Sequence, residues 1–331
     1  MLQDSEGKVS MSLTYSIQLP QGCVQEFKGT PDPIEAYETM TAVAQTAEEY
    51  GYTTVWAVDH FQTLPEPSQE IFFECFTTTA AIARDTKRIR VGQMVACNSY
   101  RNPALLAKMA STIDVLSHGR LTLGLGAGYY EPDYRTYGYE FPEGKVRIRQ
   151  LREAAQIIRA MWTESAPTFE GTYYQIHDAI NQPKGVQRPH IPLLIAGFGE
   201  QLMLKIVAES ADIYNTIGDP ATLKRKFAVL KQHCETIGRD YESIQRTANV
   251  PLAIGDTDEK ARELYRSKVT PFFPGGDDFL FANGFIGSID TIRQRIAALE
   301  EVGVQEIVLW AVDATQLESI RRFAREFILS S

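Results

Sequence analysis

Eight short segments rich in apolar and β-branched residues recur along the chain, and segments with helical periodicity separate them. The predicted strands span Leu13–Leu19, Thr53–Val58, Ile89–Ala96, Leu121–Leu125, Leu193–Ala196, Ile213–Thr216, Arg246–Ile254 and Glu306–Val312. Strands that alternate with helices are typical of repeated βα units around a parallel sheet. Eight such units in 331 residues favour an α/β fold whose strands close into a (β/α)8 TIM barrel over one with an open sheet.

One segment interrupts this alternation after the fourth helix. Between about residues 163 and 192 the chain is rich in proline and glycine, and Phe169 and Tyr174 within it suggest a short hairpin. A loop of this length in a compact domain usually covers a functional site. We therefore predict a single domain over residues 13–331 with an insertion at about 163–192, and a flexible polar N-terminal extension over residues 1–12.

Composition excludes several classes of partner. The formal net charge is −9 with no cluster of Lys and Arg, which argues against nucleic acid and anionic membranes. No apolar run reaches the length that spans a bilayer, and the histidines lack the paired spacing of a metal site. We expect a cytoplasmic protein with reduced thiols, because the four cysteines are scattered. These cysteines are Cys23, Cys75, Cys97 and Cys234.

The fourth predicted strand runs into a glycine-rich turn. Gly126, Ala127 and Gly128 leave the main chain almost bare at the carboxyl end of the strand, where α/β folds bind ligands. The turn does not complete a dinucleotide-binding G-x-G-x-x-G motif, because Glu131 stands at the last glycine position, and no P-loop lysine follows. Two interpretations stay open: a flat or phosphorylated ligand rests on this backbone, or the glycines serve only a tight turn.

Polar residues follow other predicted strands, and a barrel would bring them to one face. Asp59 and His60 follow the second strand, where His60 is a candidate proton donor, although a lone histidine is often structural. Asn98 follows the third strand. Residues 197–199, Gly-Phe-Gly, follow the fifth strand and are predicted to open directly into a helix, whose free N–H groups and dipole would bind a phosphate. The alternative is that these glycines only allow close packing.

Several segments together resemble the bacterial luciferase-like superfamily, and within it the oxidoreductases that depend on the deazaflavin coenzyme F420. The segments occur in the family's order over about residues 13 to 328. They are Ala47–Tyr52, Val55–Trp56, Asp59–His60, Tyr100–Lys108, Leu116–Leu121, Leu123–Gly128, Ala196–Gly199 and Ala211–Asn215.

This resemblance implies a homodimeric barrel with a flavin-like ring in its mouth and a small-molecule substrate beside the ring. It implies a non-prolyl cis peptide bond near Gln93–Met94, a cofactor phosphate at residues 197–199, and His60 beside the reactive ring. Glu131, a further polar group at the predicted mouth, is a second candidate catalytic residue. The cofactor-binding residues that it implies are Asp59, Met94, Ala96, Asn98, Gly126, Ala127, Gly128, Tyr129, Ala196, Gly197, Phe198 and Gly199.

The chain departs from the family pattern at two positions. Family members that oxidise sugar phosphates carry a glutamate where this chain has Tyr129, and many relatives carry a threonine where it has Ala96. These departures argue against oxidation of a sugar phosphate.

Three functions stay open at this point. The first is an F420-dependent oxidoreductase that transfers a hydride between the cofactor and a small organic substrate. The second is a luciferase-like monooxygenase that uses FMNH2 and O2, with FMN as the alternative cofactor. The third is a non-catalytic flavin-binding or light-emitting accessory protein. The fold alone does not distinguish them.

Overall fold

Parallel strands alternate with helices along the chain, as the hydrophobic pattern predicts. The computed structural model describes residues 13–269 and 277–330. Over these residues the strands are β1 (Thr14–Gln18), β2 (Thr54–Ala57), β3 (Arg90–Gln93), β4 (Ala96–Cys97), β5 (Leu121–Gly126), β6 (Phe169–Glu170), β7 (Gln175–Ile176), β8 (Leu193–Ala196), β9 (Ile213–Thr216), β10 (Gln245–Ile254), β11 (Phe285–Gly287) and β12 (Glu306–Ala311). The helices over the same residues are α1 (Pro33–Glu49), α2 (Cys75–Asp85), α3 (Pro103–Leu116), α4 (Glu131–Thr136), α5 (Gly144–Thr163), α6 (Met203–Ser210), α7 (Pro220–Ile237), α8 (Asp258–Lys268), α9 (Asp277–Asn283), α10 (Ile289–Glu301) and α11 (Glu318–Phe327).

The strands form a closed parallel barrel. Around the ring the order is β1, β2, β3, β5, β8, β9, β10 and β12, and the ring closes where β12 pairs with β1, with Thr14 opposite Glu306. The predicted strands all occur at their expected places, and the predicted TIM barrel is confirmed. The predicted N-terminal extension, residues 1–12, lies outside the described residues.

The third barrel strand is interrupted close to its carboxyl end. β3 ends at Gln93 and β4 begins at Ala96, and both pieces pair with β5. The peptide bond between Met94 and Val95 is cis, one residue later than the resemblance implies. The interruption turns Met94 and Val95 toward the inside of the barrel, where they pack among apolar side chains.

Glycines on β5 make room for this interruption. A Cβ atom on Gly124 would collide with the carbonyl oxygen of Gln93. A Cβ atom on Gly126 would lie 2.7 Å from a methyl carbon of Val95, closer than real Cβ contacts come. The missing side chain of Gly126 therefore makes room for Val95.

An apolar cluster fills the barrel beneath its mouth, separate from the main core between barrel and helices. We call it the barrel floor, and it consists of Trp56, Met94, Leu194 and Val308 with the partly buried Val95, Ala196 and Ile213. The one polar atom of Trp56, its Nε1, donates to Ser16 Oγ at 2.9 Å. The floor therefore presents an apolar surface to the mouth with its indole N–H already satisfied.

The insertion after α5 is anchored by Asp114 on α3. The fully buried carboxylate accepts hydrogen bonds from the backbone N–H groups of Val186 (2.7 Å) and Gln187 (3.2 Å), and from Gln187 Nε2 (2.7 Å). β6 and β7 form the predicted hairpin. Between them Tyr174 extends toward the mouth, where its hydroxyl accepts a hydrogen bond from Asn98 Nδ2 at 3.1 Å. The insertion thus reaches the carboxyl end of the third strand.

Replacing Asp114 by alanine is expected to destabilise the protein. The change leaves three partly buried N–H donors without their acceptor, and losing hydrogen bonds to a buried charge costs about 2–3 kcal/mol. The free energy of unfolding from urea denaturation measures this cost. Thr112→Ala, an exposed change on the same helix, serves as the control and should stay within about 0.5 kcal/mol of the unmodified protein. Equal stabilities of the two variants would contradict the anchoring role.

Candidate active site at the barrel mouth

A buried carboxylate lies beside the predicted catalytic histidine. His60 follows β2, and its Nδ1 lies 2.8 Å from Oδ2 of Asp133 on α4. Asp133 is completely buried, and the same oxygen also faces the N–H of Phe61 and the hydroxyl of Tyr100, both at 3.4 Å. Its other oxygen, Oδ1, is buried without a hydrogen-bond partner among the described residues. His60 and Asp133 therefore form a dyad of two titratable groups.

The dyad defines which nitrogen of His60 is available for chemistry. An ionised Asp133 requires His60 Nδ1 to carry its proton and donate it, a tautomer that we assign from the hydrogen bond. Within the described residues His60 Nε2 has no hydrogen-bond partner, and the ring packs edge-on against Tyr129 and Tyr130. The geometry leaves Nε2 able to accept or donate a proton at the mouth.

Asp59 connects neighbouring segments at the mouth through hydrogen bonds and an ion pair. Its Oδ2 accepts from the N–H of Cys97 (2.8 Å) and from Nη1 of Arg101 (2.7 Å), and its Oδ1 accepts from Arg101 Nη2 (3.1 Å). Arg101 also pairs with Glu74 at the start of α2. Both carboxylate oxygens of Asp59 are thus bound by protein donors, and only 5 % of the residue is exposed. The resemblance implied a cofactor-binding residue at Asp59, whereas in the structure its carboxylate links the end of β2 to β4.

Glu131 lies at the outer side of the mouth. It begins α4, and its half-exposed carboxylate accepts from Arg135 Nε at 2.7 Å, one turn further along. Asp133 and Tyr134, by contrast, point inward and are fully buried. The carboxylate in contact with His60 is therefore Asp133, not Glu131. The sequence feature that could have indicated Asp133 is an acidic residue beside an aromatic one on the inner face of a short helix. This pattern is a weak predictor on its own.

Position 128, at the end of the glycine-rich turn, requires a glycine for both its backbone conformation and its packing. Its φ is +77°, and a Cβ atom there would collide with the Tyr134 hydroxyl and approach Cys97 Sγ to 2.6 Å. The thiol of Cys97 lies 3.1 Å from that hydroxyl. Burial raises the pKa of Cys97 to about 11, so the thiol stays protonated at neutral pH and is not a nucleophile. Beyond Gly128, Tyr129 is 65 % exposed at the mouth.

The end of the third strand carries unsatisfied polar atoms. Asn98 is 1 % exposed, and its Oδ1, like the hydroxyl of Ser99, is buried without a partner among the described residues. Such atoms usually find a partner in a ligand or in water. Ala96, predicted to contact the ring, lies instead fully buried in the main core, while Met94 belongs to the barrel floor.

The loop after β8 has free backbone donors near its start. The N–H of Gly197 donates to the carbonyl of Asn215 at 3.2 Å, so it is not available to a phosphate as predicted. Over the described residues the N–H groups of Phe198 and Gly199 donate to no protein acceptor. α6 begins only at Met203, so the prediction that the loop opens directly into a helix is wrong by a turn of three residues.

A further titratable group follows β1, where the sequence pattern gave no signal. Glu26 Oε2 accepts from the N–H of Val24 at 2.8 Å. Burial raises the pKa of the Glu26 carboxyl to about 7, although three backbone N–H groups oppose this. A carboxyl with such a pKa exchanges its proton near neutral pH. Glu26 therefore is a titratable carboxyl in the loop after β1, at the barrel end that carries His60.

Two other features are absent from the described part of the chain. No group of three or more His, Cys, Asp or Glu side chains in residues 13–269 and 277–330 is arranged to hold a metal ion. None of the helices in these ranges is long and apolar enough to cross a membrane.

This chain is similar to two known F420-dependent enzymes, one in sequence and one in fold. An F420-dependent glucose-6-phosphate dehydrogenase from Amycolatopsis mediterranei (strain U-32) is 32 % identical over 233 residues, which are 69 % of this chain and 68 % of the relative. A solved F420-dependent secondary alcohol dehydrogenase in complex with an F420-acetone adduct superposes with a TM-score of 0.79 at 19 % identity, covering 96 % of this chain and 98 % of that one.

A monooxygenase has a similar fold. The oxygenating constituent of 3,6-diketocamphane monooxygenase from Pseudomonas putida, in complex with FMN, superposes with a TM-score of 0.74 at 19 % identity, covering 96 % of this chain and 98 % of that one. At such identities these likenesses establish the fold alone. The profile of the luciferase-like monooxygenase family matches residues 21–283, most of the chain. The chain therefore belongs to the luciferase-like monooxygenase family.

Proposed function

We propose that the protein is an F420-dependent oxidoreductase that transfers a hydride between the deazaflavin ring and a small organic substrate. The observation that carries the proposal is the His60–Asp133 dyad at the mouth of a barrel with an apolar floor, in which His60 Nε2 has no hydrogen-bond partner among the described residues. The 32 % identical relative, an F420-dependent dehydrogenase, supports the choice of cofactor.

The residues at the mouth fit a flat ring with a phosphorylated tail. The barrel floor offers an apolar surface against which a ring would pack. Asn98 Oδ1 is a buried acceptor that lacks a donor among the described residues, and the N–H groups of Phe198 and Gly199 would hold the phosphate. When bound, the deazaflavin supplies the carbon that accepts or donates the hydride.

His60 would manage the proton that accompanies the hydride. In the oxidising direction Nε2 accepts the proton of a substrate hydroxyl, and in the reducing direction it returns that proton to the developing alkoxide or carbanion. Asp133 stabilises the imidazolium that forms and holds the ring in one orientation, because its carboxylate is buried and bonded to Nδ1. Asp133 is in this account a positioning residue.

We propose that the substrate is not a sugar phosphate. In the sugar-phosphate-oxidising enzymes that this chain resembles, a glutamate stands where Tyr129 stands here. A phenol keeps its proton at neutral pH and lacks the charge of that carboxylate. Tyr129 is exposed beside His60, in a position to contact the substrate directly. An alcohol or ketone, or an activated C=C or C=N bond, fits this mouth as substrate class.

A flavin monooxygenase is the second candidate, and the likeness to a monooxygenase in complex with FMN favours it. Oxygen separates the two functions, because hydride transfer from reduced F420 needs no O2. Oxidation of reduced F420 by a panel of ketones and enones, followed at the absorbance of the oxidised ring under strict anaerobiosis, tests the proposal. Turnover without O2 is expected. Turnover only with reduced FMN and O2 would overturn the proposal.

His60→Ala is expected to lower turnover by roughly 10²–10⁴-fold while cofactor affinity changes less than threefold, since the imidazole moves a proton and does not hold the ring. Asp133→Asn should lower turnover at least tenfold, because an amide cannot stabilise the imidazolium. Steady-state turnover and the F420 Kd are measured on each variant. The control is Glu140→Gln, because Glu140 is an exposed carboxylate that follows α4, the helix that carries Asp133. Turnover within threefold of normal in His60→Ala would move the role to Glu131 or Tyr129.

Gly199→Asp is expected to weaken cofactor binding at least tenfold, equivalent to about 1.4 kcal/mol. The new carboxylate would stand beside the two free N–H groups and repel a phosphate. The backbone tolerates the change, because a Cβ at Gly199 makes only an ordinary contact of 3.6 Å with Met203. Gly199→Asn, of the same size without the charge, separates electrostatics from bulk. Equal affinity in Gly199→Asp and the unmodified protein would refute the phosphate position.

A further inference from the structure

A buried lysine lies at the carboxyl ends of two neighbouring barrel strands. Lys226, on α7, is only 4 % exposed, and lysine is rarely buried to this extent unless it is paired. Its Nζ donates to Oγ1 of Thr216, the last residue of β9, at 2.9 Å. The same Nζ lies 5.0 Å from the ring centroid of Phe198, in the loop after β8. The ammonium thus lies beside the loop that has free backbone donors.

The charge of Lys226 is not neutralised by the protein. The acidic residue that most favours its charged form is Glu200, whose carboxylate already pairs with Arg225 at 2.9 Å. Among the described residues no carboxylate forms an ion pair with Lys226. Burial lowers the pKa of the ammonium, which reflects the cost of holding this charge away from water. An ammonium has three donors and Thr216 takes one of them, so the group is suited to a further, anionic partner.

We propose that Lys226 is a further ligand of the cofactor's phosphate, which it would meet opposite the loop N–H groups of Phe198 and Gly199. The proposal rests on the proposed function for the identity of that cofactor. The loop follows Ala196, the last residue of β8, whose side chain belongs to the barrel floor, so the tail of a ring lying on the floor would leave along this loop. The N–H groups of Phe198 and Gly199 and the ammonium would meet the phosphate from two sides.

The ring of Phe198 lies against the ammonium of Lys226. Its ring is 63 % exposed, which is unusual for a phenylalanine, and it covers Lys226 through a cation–π contact. Rotation of this ring would open the path from the loop to Nζ. An arriving phosphate would then exchange a weak cation–π contact for a charge-assisted hydrogen bond, which is the stronger interaction.

The test compares two deazaflavins that differ in the phosphate. F420 carries the phosphorylated tail, and the chromophore FO has the same ring and ribityl chain without it. Dissociation constants for both are measured by fluorescence on the full-length protein and on Lys226→Met and Lys226→Gln, the latter of which keeps a donor for Thr216. Lys224→Met, an exposed lysine on the same helix, is the matched control. The proposal predicts at least tenfold weaker F420 binding in both Lys226 variants, FO binding within twofold, and no change in the control.

Three results would decide against parts of the proposal. If the Lys226 variants lose affinity for F420 and FO equally, Lys226 stabilises the fold and does not bind the phosphate. If their F420 affinity is unchanged, the proposed site is also wrong. If inorganic phosphate raises the melting temperature of the F420-loaded protein but not of F420-loaded Lys226→Met, the phosphate site stands but its occupant is a substrate group. Failure of the unmodified protein to bind either deazaflavin refutes the proposed function instead, and inorganic phosphate on the apoprotein then tests Lys226 separately.

Discussion

The arrangement of the mouth depends on one buried ion pair, between Asp59 and Arg101. The carboxylate of Asp59 also accepts the N–H of Cys97, so a single side chain joins the end of β2 to β4 beyond the interruption at residues 94–95. His60 is the next residue along the chain, and its direction follows from this link. Removing one partner of such a pair leaves an uncompensated buried charge, at a cost of about 3–5 kcal/mol. The pair therefore holds the histidine in register with the third strand.

Different parts of the barrel serve the site in different ways. The glycines of β5 let the interrupted third strand turn Val95 inward, and this completes an apolar floor. The short helix α4 brings Asp133 under His60, which leaves one nitrogen of the imidazole for proton transfer. The loop after β8 offers backbone donors with a buried lysine behind it. Different elements around one mouth thus provide apolar packing, proton transfer and anion binding.

Sequence periodicity was sufficient for the fold, because strands and helices of a barrel are local patterns repeated eight times. The site was harder to predict, since its contacts join residues far apart in the chain: His60 and Asp133 are separated by 73 positions. Asp59 was predicted as a ligand because a carboxylate after a strand looks available, and only the position of Arg101 shows that it is occupied. Lys226 gave no signal, as its apolar neighbours on α7 resemble ordinary core spacing. Homodimer formation and a cytoplasmic location stay predictions.

The central claim is that this mouth selects a deazaflavin. Parallel titration of the purified protein with F420 and with FMN, each followed by fluorescence under identical conditions, tests it most directly. The account predicts saturable F420 binding with a Kd at least tenfold below that for FMN, a difference of about 1.4 kcal/mol or more. Binding of FMN as tight as that of F420, or tighter, would contradict the account.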